Sequence, residues 1–302
     1  MRSPAMTIIR KTCLAIGVAV FVAACVNPAI ASKKKGTTSL WKVSSESTTI
    51  YLLGSIHLLK EEDYPLSEKM LAAYADADEL VFEVHPDSLE APELQGYVLQ
   101  NAMYEEGKTL MSELGEADYD EAKALSDELD LNIGMYSTFK PWFVSIAIAM
   151  AEMQKLGFDP TQGVEMYFAG LARTDEKPMS GLETARYQMG LFVGLSDELQ
   201  KDMLMYTLRQ MSDIENELDA IVSAWKTGDL EGLERTLNKS LDEFPEIHKR
   251  LVTARNINWV EQIERFMDEG KTRVIIVGVG HMPGDKGLIA LLEKQGYQVD
   301  PQ

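Results

Sequence analysis

Two stretches near opposite ends of the chain repeat one pattern. Thr49-Ile50-Tyr51-Leu52-Leu53-Gly54-Ser55-Ile56-His57 and Thr272-Arg273-Val274-Ile275-Ile276-Val277-Gly278-Val279-Gly280-His281 are each an apolar, β-prone run that ends at Gly-x-x-His. A continuous apolar run bounded by glycine reads as a buried strand. The glycine lets the backbone leave the sheet, and the histidine then projects from the carboxyl end of the strand. Open α/β sheets bind their ligands at that edge. Two of the four histidines in the chain stand in this position, which points to one shared site.

The first residues are a different kind of sequence. Arg2, Arg10 and Lys11 form a basic start, Cys13 to Val26 is almost wholly apolar, and Asn27-Pro28-Ala29-Ile30-Ala31 follows. This is the pattern of a secretory signal peptide, with an apolar core too short for a comfortable membrane span. Residues 1–31 are therefore read as a leader, and the protein as exported to the periplasm. Two cleavage points fit. Ala29-Ile30-Ala31 would release a chain starting at Ser32, and Asn27-Pro28 ends the apolar run where a cleavage region begins. Val22-Ala23-Ala24-Cys25 resembles a lipobox, which would leave Cys25 as a lipid anchor and the one link to the membrane. Both cysteines lie in this leader, so the exported domain has neither a disulfide nor a thiolate for metal binding or catalysis. The formal charge of −19 becomes three units more negative when the leader is lost. Such acidity argues against nucleic acid, whose binding depends on Lys and Arg neutralising phosphates. It also serves simply to keep an exported protein soluble.

Along the rest of the chain, Leu40–Val43 and Thr48–Leu53 alternate around a polar turn, a hairpin pattern. Helical spacing over Pro65–Ala77 leads to Glu79-Leu80-Val81-Phe82-Glu83-Val84-His85, a buried strand that Pro86 ends. The second copy has the same order: strand, His281, a helix through Leu288, Leu291 and Leu292, then the strand Tyr297-Gln298-Val299. Between them the chain reads as mainly helical, with Lys177–Thr184 as one further strand end carrying an acid at its tip. The expected fold is α/β: a mixed sheet built from both chain ends as two βαβ-like units, with a large α-helical insertion at about 90–268, in one domain over residues 32–302.

Several residues in this frame can carry chemistry. Neutral imidazole is the commonest metal ligand, and two histidines with one or two carboxylates make a usual catalytic metal set. His57 and His281 are the candidates; the alternative is that each hydrogen-bonds loop backbone. Glu83 closes an apolar strand, where a charge is costly unless paired or ligated. It reads as a metal ligand or general base, or as a carboxylate just reaching solvent. Glu183 in Gly181-Leu182-Glu183-Thr184 follows the same logic. Arg255 on a helix could clamp an anionic or tetrahedral group, and Asn256 could polarise a carbonyl; surface salt bridging is the alternative. His85 is a weaker candidate because the chain turns at Pro86, and His248 reads as a solvated helix residue. Ser55 lacks the Gly-x-Ser-x-Gly setting of a nucleophile. Neither a His-Glu-x-x-His helix nor a phosphate loop is present.

Taken together, these residues resemble the TraB/GumN family, which includes the Tiki metalloproteases. The resemblance rests on Leu40-Trp41-Lys42-Val43, Tyr51–His57, the Glu83 strand, Gly181–Thr184, Arg255-Asn256 and Val277–Gly284, and it spans essentially the whole exported chain. It implies a sheet core with paired Gly-x-x-His motifs and, from the Tiki members, a Mn²⁺- or Co²⁺-dependent protease activity. His57, Glu83 and His281 are then implied as the metal and catalytic set, with Glu183, Arg255 and Asn256 supporting it. One departure is Gly163-Val164-Glu165, where the resemblance calls for Asp in the last place. The resulting expectation is an exported metal-dependent hydrolase of peptides or proteins, using Mn²⁺, Co²⁺ or Zn²⁺. The ion would be held by His57, His281, Glu83 and Glu183, and Glu83, Arg255 and Asn256 would act in catalysis. The alternatives are a protein that sequesters a peptide or signal in the same cleft, and an accessory factor in envelope polysaccharide export.

Overall fold

The computed structural model describes residues 37–45, 48–241 and 244–302. The expected leader, with both of its cleavage points, lies outside the described residues. Those residues fall into two compact units. One comprises residues 37–86, 159–183 and 216–302 and holds the sheet; the other comprises residues 87–158 and 184–215 and is helical.

The sheet unit is built from β1 (Leu40–Ser44), β2 (Thr49–Ser55), β3 (Glu79–Val84), β4 (Met179–Glu183), β5 (Arg273–Gly278) and β6 (Gln298–Pro301). Their order in the sheet is β4-β3-β5-β2-β1-β6. The fold is thus α/β with a mixed sheet drawn from both chain ends and helices inserted between them. Strands β1 and β2 form the antiparallel hairpin, and β4, β3, β5 and β2 are parallel neighbours. The late strand β5 inserts between the two early strands β2 and β3, with Leu52 opposite Ile275 and Ser55 opposite Gly278. Both Gly-x-x-His motifs therefore leave adjacent strands at the same edge. The last strand lies elsewhere: β6 pairs antiparallel with β1 at the far side of the sheet. It still runs in the direction of β5, so the second unit keeps its βαβ sense while its strands are not neighbours.

Every residue of β5 is buried, because a central parallel strand is covered on both faces and needs apolar side chains on each. Ile275 and Val277 face the same way, as do Ile50 and Leu52 in β2, since strand side chains alternate. Against that face the helix Ala254–Met267 lays Trp259, Val260, Ile263 and Met267, and the helix Leu288–Lys294 adds Leu288, Ile289 and Leu292. Each such side chain is worth about 1.5–3 kcal/mol when fully buried.

In the helical unit, the apolar run after Phe139 forms the helix Pro141–Lys155, with Pro141 in its first turn, where the missing N–H costs nothing. Ser145 shares a 2.6 Å hydrogen bond with Thr207 of the helix Asp197–Gln210, and Trp142 stacks on Phe192 at 6.4 Å between centroids. Among the described residues, no helix is long and apolar enough to cross a membrane.

Candidate functional site

The carboxyl edge of β4, β3, β5 and β2 gathers charged side chains from across the sequence. Val81 of β3 packs in the core beneath the helix Ala254–Met267, and strand alternation puts Glu83 on that same face. Arg255 lies one helical turn before Trp259, so it comes down onto the face beside Glu83. Glu183 ends β4, and His57 and His281 follow β2 and β5.

The two motif glycines make room for one another's motif. A Cβ on Gly54 would stand 2.9 Å from Cγ2 of Val279, inside the second motif. A Cβ on Gly278 would stand 3.2 Å from both Nε2 of His57 and Oε1 of Glu83. The glycines repeat because two strands and two loops approach closely here, and a side chain at either position would push them apart.

Arg255 is the centre of the cluster. Its Nε donates to Glu183 at 3.0 Å, its Nη1 to the Leu251 carbonyl at 2.9 Å and to Nε2 of His281 at 3.1 Å, and its Nη2 to Glu83. The guanidinium also lies over the Trp259 ring, 4.6 Å from its centroid. Glu83 accepts a further bond from the Gly278 N–H at 2.7 Å. Burial opposes the charge on Glu83, yet Arg255, the two histidines and this N–H together hold its carboxyl well below the usual carboxylate range. A carboxylate so held is a weak base.

The histidines are oriented oppositely in electrostatic terms. The Asn256 amide donates to the carbonyls of Lys286 at 2.8 Å and His281 at 3.2 Å, which turns its Oδ1 toward Nδ1 of His281 at 2.6 Å. That oxygen can only accept, so Nδ1 of His281 carries the hydrogen and Nε2 carries the lone pair that Arg255 uses. Burial, and then the charge of Arg255, push His281 down to about 3, so its ring is neutral. His57 instead places Nδ1 2.6 Å from Oε1 of Glu165, and Ser55 donates to the same oxygen. Burial works against a charged ring at His57 as well, but the charge and hydrogen bond of Glu165, with Glu83 beyond, raise its pKa above the ordinary 6.5.

The donor set can be tested against a divalent ion. Both imidazoles commit Nδ1 to an acceptor and leave Nε2 on the side of Glu83, which is how metal-ligating histidines are oriented. The lone pair of His281, however, is already engaged by Arg255, as is Glu83. Among the described residues no group of three or more His, Cys, Asp or Glu side chains stands close enough to hold a metal. In this arrangement the residues do not fit one.

His57, Glu83, Glu183, Arg255, Asn256 and His281 are thus brought together, and His85 joins none of the bonds just described. It lies past β3, where its backbone N would be 2.7 Å from a Cβ on Gly181. Sequence reasoning undervalued two neighbours. Glu165, set apart by its extra methylene, is the partner of His57. Ser55, dismissed as a nucleophile, holds Glu165. Only the Gly-Val-Glu motif gave any signal for the first; the second depends on a contact far apart in sequence. His248, on the short helix before Arg255, is half-buried.

Fold and site together define an α/β protein whose sheet edge carries a buried glutamate–arginine–histidine cluster. The chain belongs to the TraB/PrgY/gumN family, whose model matches residues 39–301. It is similar to the uncharacterized protein YbaP of Escherichia coli (strain K12), 24% identical over 242 residues that cover 80% of this chain and 87% of that one. YbaP of Shigella flexneri matches to the same extent. An uncharacterized protein of Treponema pallidum (strain Nichols) is 20% identical over 282 residues, covering 89% and 83% of the two chains. No solved structure matches.

Proposed function

We propose that this protein is an exported hydrolase of peptide bonds in which His57 is the base that activates water. The observation that carries this reading is the His57–Glu165 pair. Nδ1 is held at 2.6 Å by a carboxylate, Nε2 is turned toward Glu83, and the side chain keeps 17% of its surface exposed. A histidine whose far nitrogen is oriented by a carboxylate is suited to general-base catalysis. Nε2 would take a proton from water as its oxygen adds to the scissile carbonyl. The same proton would then pass to the leaving nitrogen as the C–N bond breaks. Glu83, kept ionised by Arg255, favours the imidazolium form of His57 during the transfer. Asn256 and Arg255 fix His281 as a neutral ring beside it.

A second reading is favoured by the common commitment of both Nδ1 atoms. His57, His281 and Glu83, with Glu183 nearby, would hold Mn²⁺, Co²⁺ or Zn²⁺, which requires Arg255 to release His281. Such an ion supplies polarisation of the carbonyl and a more acidic water.

The test is a peptide-library digest by the purified protein beside folded His57→Ala and Glu165→Gln variants. The expected result is turnover at sub-stoichiometric protein, reduced by about 10²–10⁴ in His57→Ala, the usual contribution of a general base. Stoichiometric capture without product would replace the hydrolase reading with the sequestering one.

A further inference from the structure

We propose that Arg255 is the built-in cation of this site. It occupies the place between Glu83, Glu183 and His281 that a divalent ion would need, so the cluster holds together without a metal.

The contacts of the guanidinium give it this role. Arginine has five N–H donors in a fixed plane. Here one meets Glu183, two meet the Leu251 carbonyl and Nε2 of His281, and another meets Glu83. Its flat face is covered by Trp259. Only 7% of the residue is exposed. A side chain held on its edges and its face is part of the framework of the site. It pairs with both carboxylates that would otherwise call for a bound cation, and it engages the imidazole lone pair that an ion would need. His281 can give that lone pair to only one partner, and Asn256 fixes the ring so that no other nitrogen can take its place.

A divalent ion at Glu83 and His281 would also stand against a permanent positive charge that burial leaves poorly screened. Lysine could not replace this residue. Its single ammonium cannot span Glu83, Glu183, Leu251 and His281 in one plane. This inference does not depend on turnover, so it stands or falls separately from the hydrolase reading.

The test is titration of the purified protein with Co²⁺, Mn²⁺ and Zn²⁺ by calorimetry, by visible absorption for Co²⁺, and by thermal midpoint. For the wild type we expect no stoichiometric uptake at micromolar metal, and a midpoint that moves by no more than about 1 °C with metal or chelator, because an ion that bound the folded state would raise it. Arg255→Met releases the His281 lone pair and removes the guanidinium from Glu83 and Glu183, and should bind Co²⁺ at least about tenfold more tightly than the wild type, with a midpoint that rises on metal addition. Arg255→Gln, which also removes the charge, provides the same comparison should the methionine variant fail to fold. One equivalent of metal bound by the wild type at micromolar concentration would overturn the proposal. A folded Arg255 variant that gains no affinity would overturn it equally, since the residue would then not be standing in a metal's place.

Discussion

At the scale of single residues, His57 and His281 are the same side chain in matching positions, yet their partners drive them apart. His281 faces a guanidinium and is lowered to about 3, whereas His57 faces Glu165 and is raised. The consequences for stability have opposite signs. Between pH 6.5 and about 3 the unfolded chain protonates His281 while the folded chain does not, so this residue's contribution is lost as pH falls through that window. His57 is more basic when folded, so its contribution is present below pH 6.5 and is lost as pH rises through its folded pKa. Glu83, held low, adds to the acid side, because its contribution is present above the ordinary carboxylate pKa and lost below it. Urea midpoints measured across this range should show the acid decline flattened by His281→Asn and the decline above pH 6.5 flattened by His57→Asn. An unchanged acid limb in His281→Asn would contradict the neutral-ring assignment.

Among the elements, the helix Ala254–Met267 does two things at once. Arg255, Trp259 and Ile263 recur at four-residue spacing, so one stripe both reaches the cluster and packs on the sheet. Ile263 is fully buried, and Ile263→Ala should cost about 2–5 kcal/mol in denaturant unfolding. A cost below about 1 kcal/mol would mean that the helix does not rest on the sheet as described. Much of this was readable from sequence. Strands β2 and β5 announced themselves because central strands must be apolar on both faces, and the spacing of Leu66, Met70 and Tyr74 marked the helix Glu68–Asp76. The pairing of β6 with β1 was not readable, since strand order is chosen by packing and leaves no local mark. The helix Ala185–Val193 was missed as well: Gly190, Tyr187 and Phe192 weaken its propensity, and Thr184 capping the Tyr187 N–H at 3.2 Å is a modest signal. At the site, strand ends gave the positions of His57, Glu83, Glu183 and His281. Which of them meet Arg255 or Glu165 depends on partners 26 to 172 residues away, which no window of sequence contains.

Across the whole molecule, residues from the first third of the chain and from its last fifth meet in one buried cluster. Family membership over residues 39–301 is consistent with a unit that needs both ends to exist. The acidic chain, at −19, keeps one guanidinium buried where three of its carboxylates and two of its imidazoles gather. Removing that cation while the acids stay buried should destabilise the protein by about 3–5 kcal/mol, because an uncompensated charge is left behind. The most direct test of the shared site is a double-mutant cycle of Glu83→Gln and Arg255→Met, read by denaturant unfolding at pH 7. Coupling of at least about 1.5 kcal/mol is predicted, within the range for residues in one ion-pair network. Effects that add to within about 0.5 kcal/mol, the behaviour of distant and independent sites, would contradict the assembly of the two chain ends into a single site.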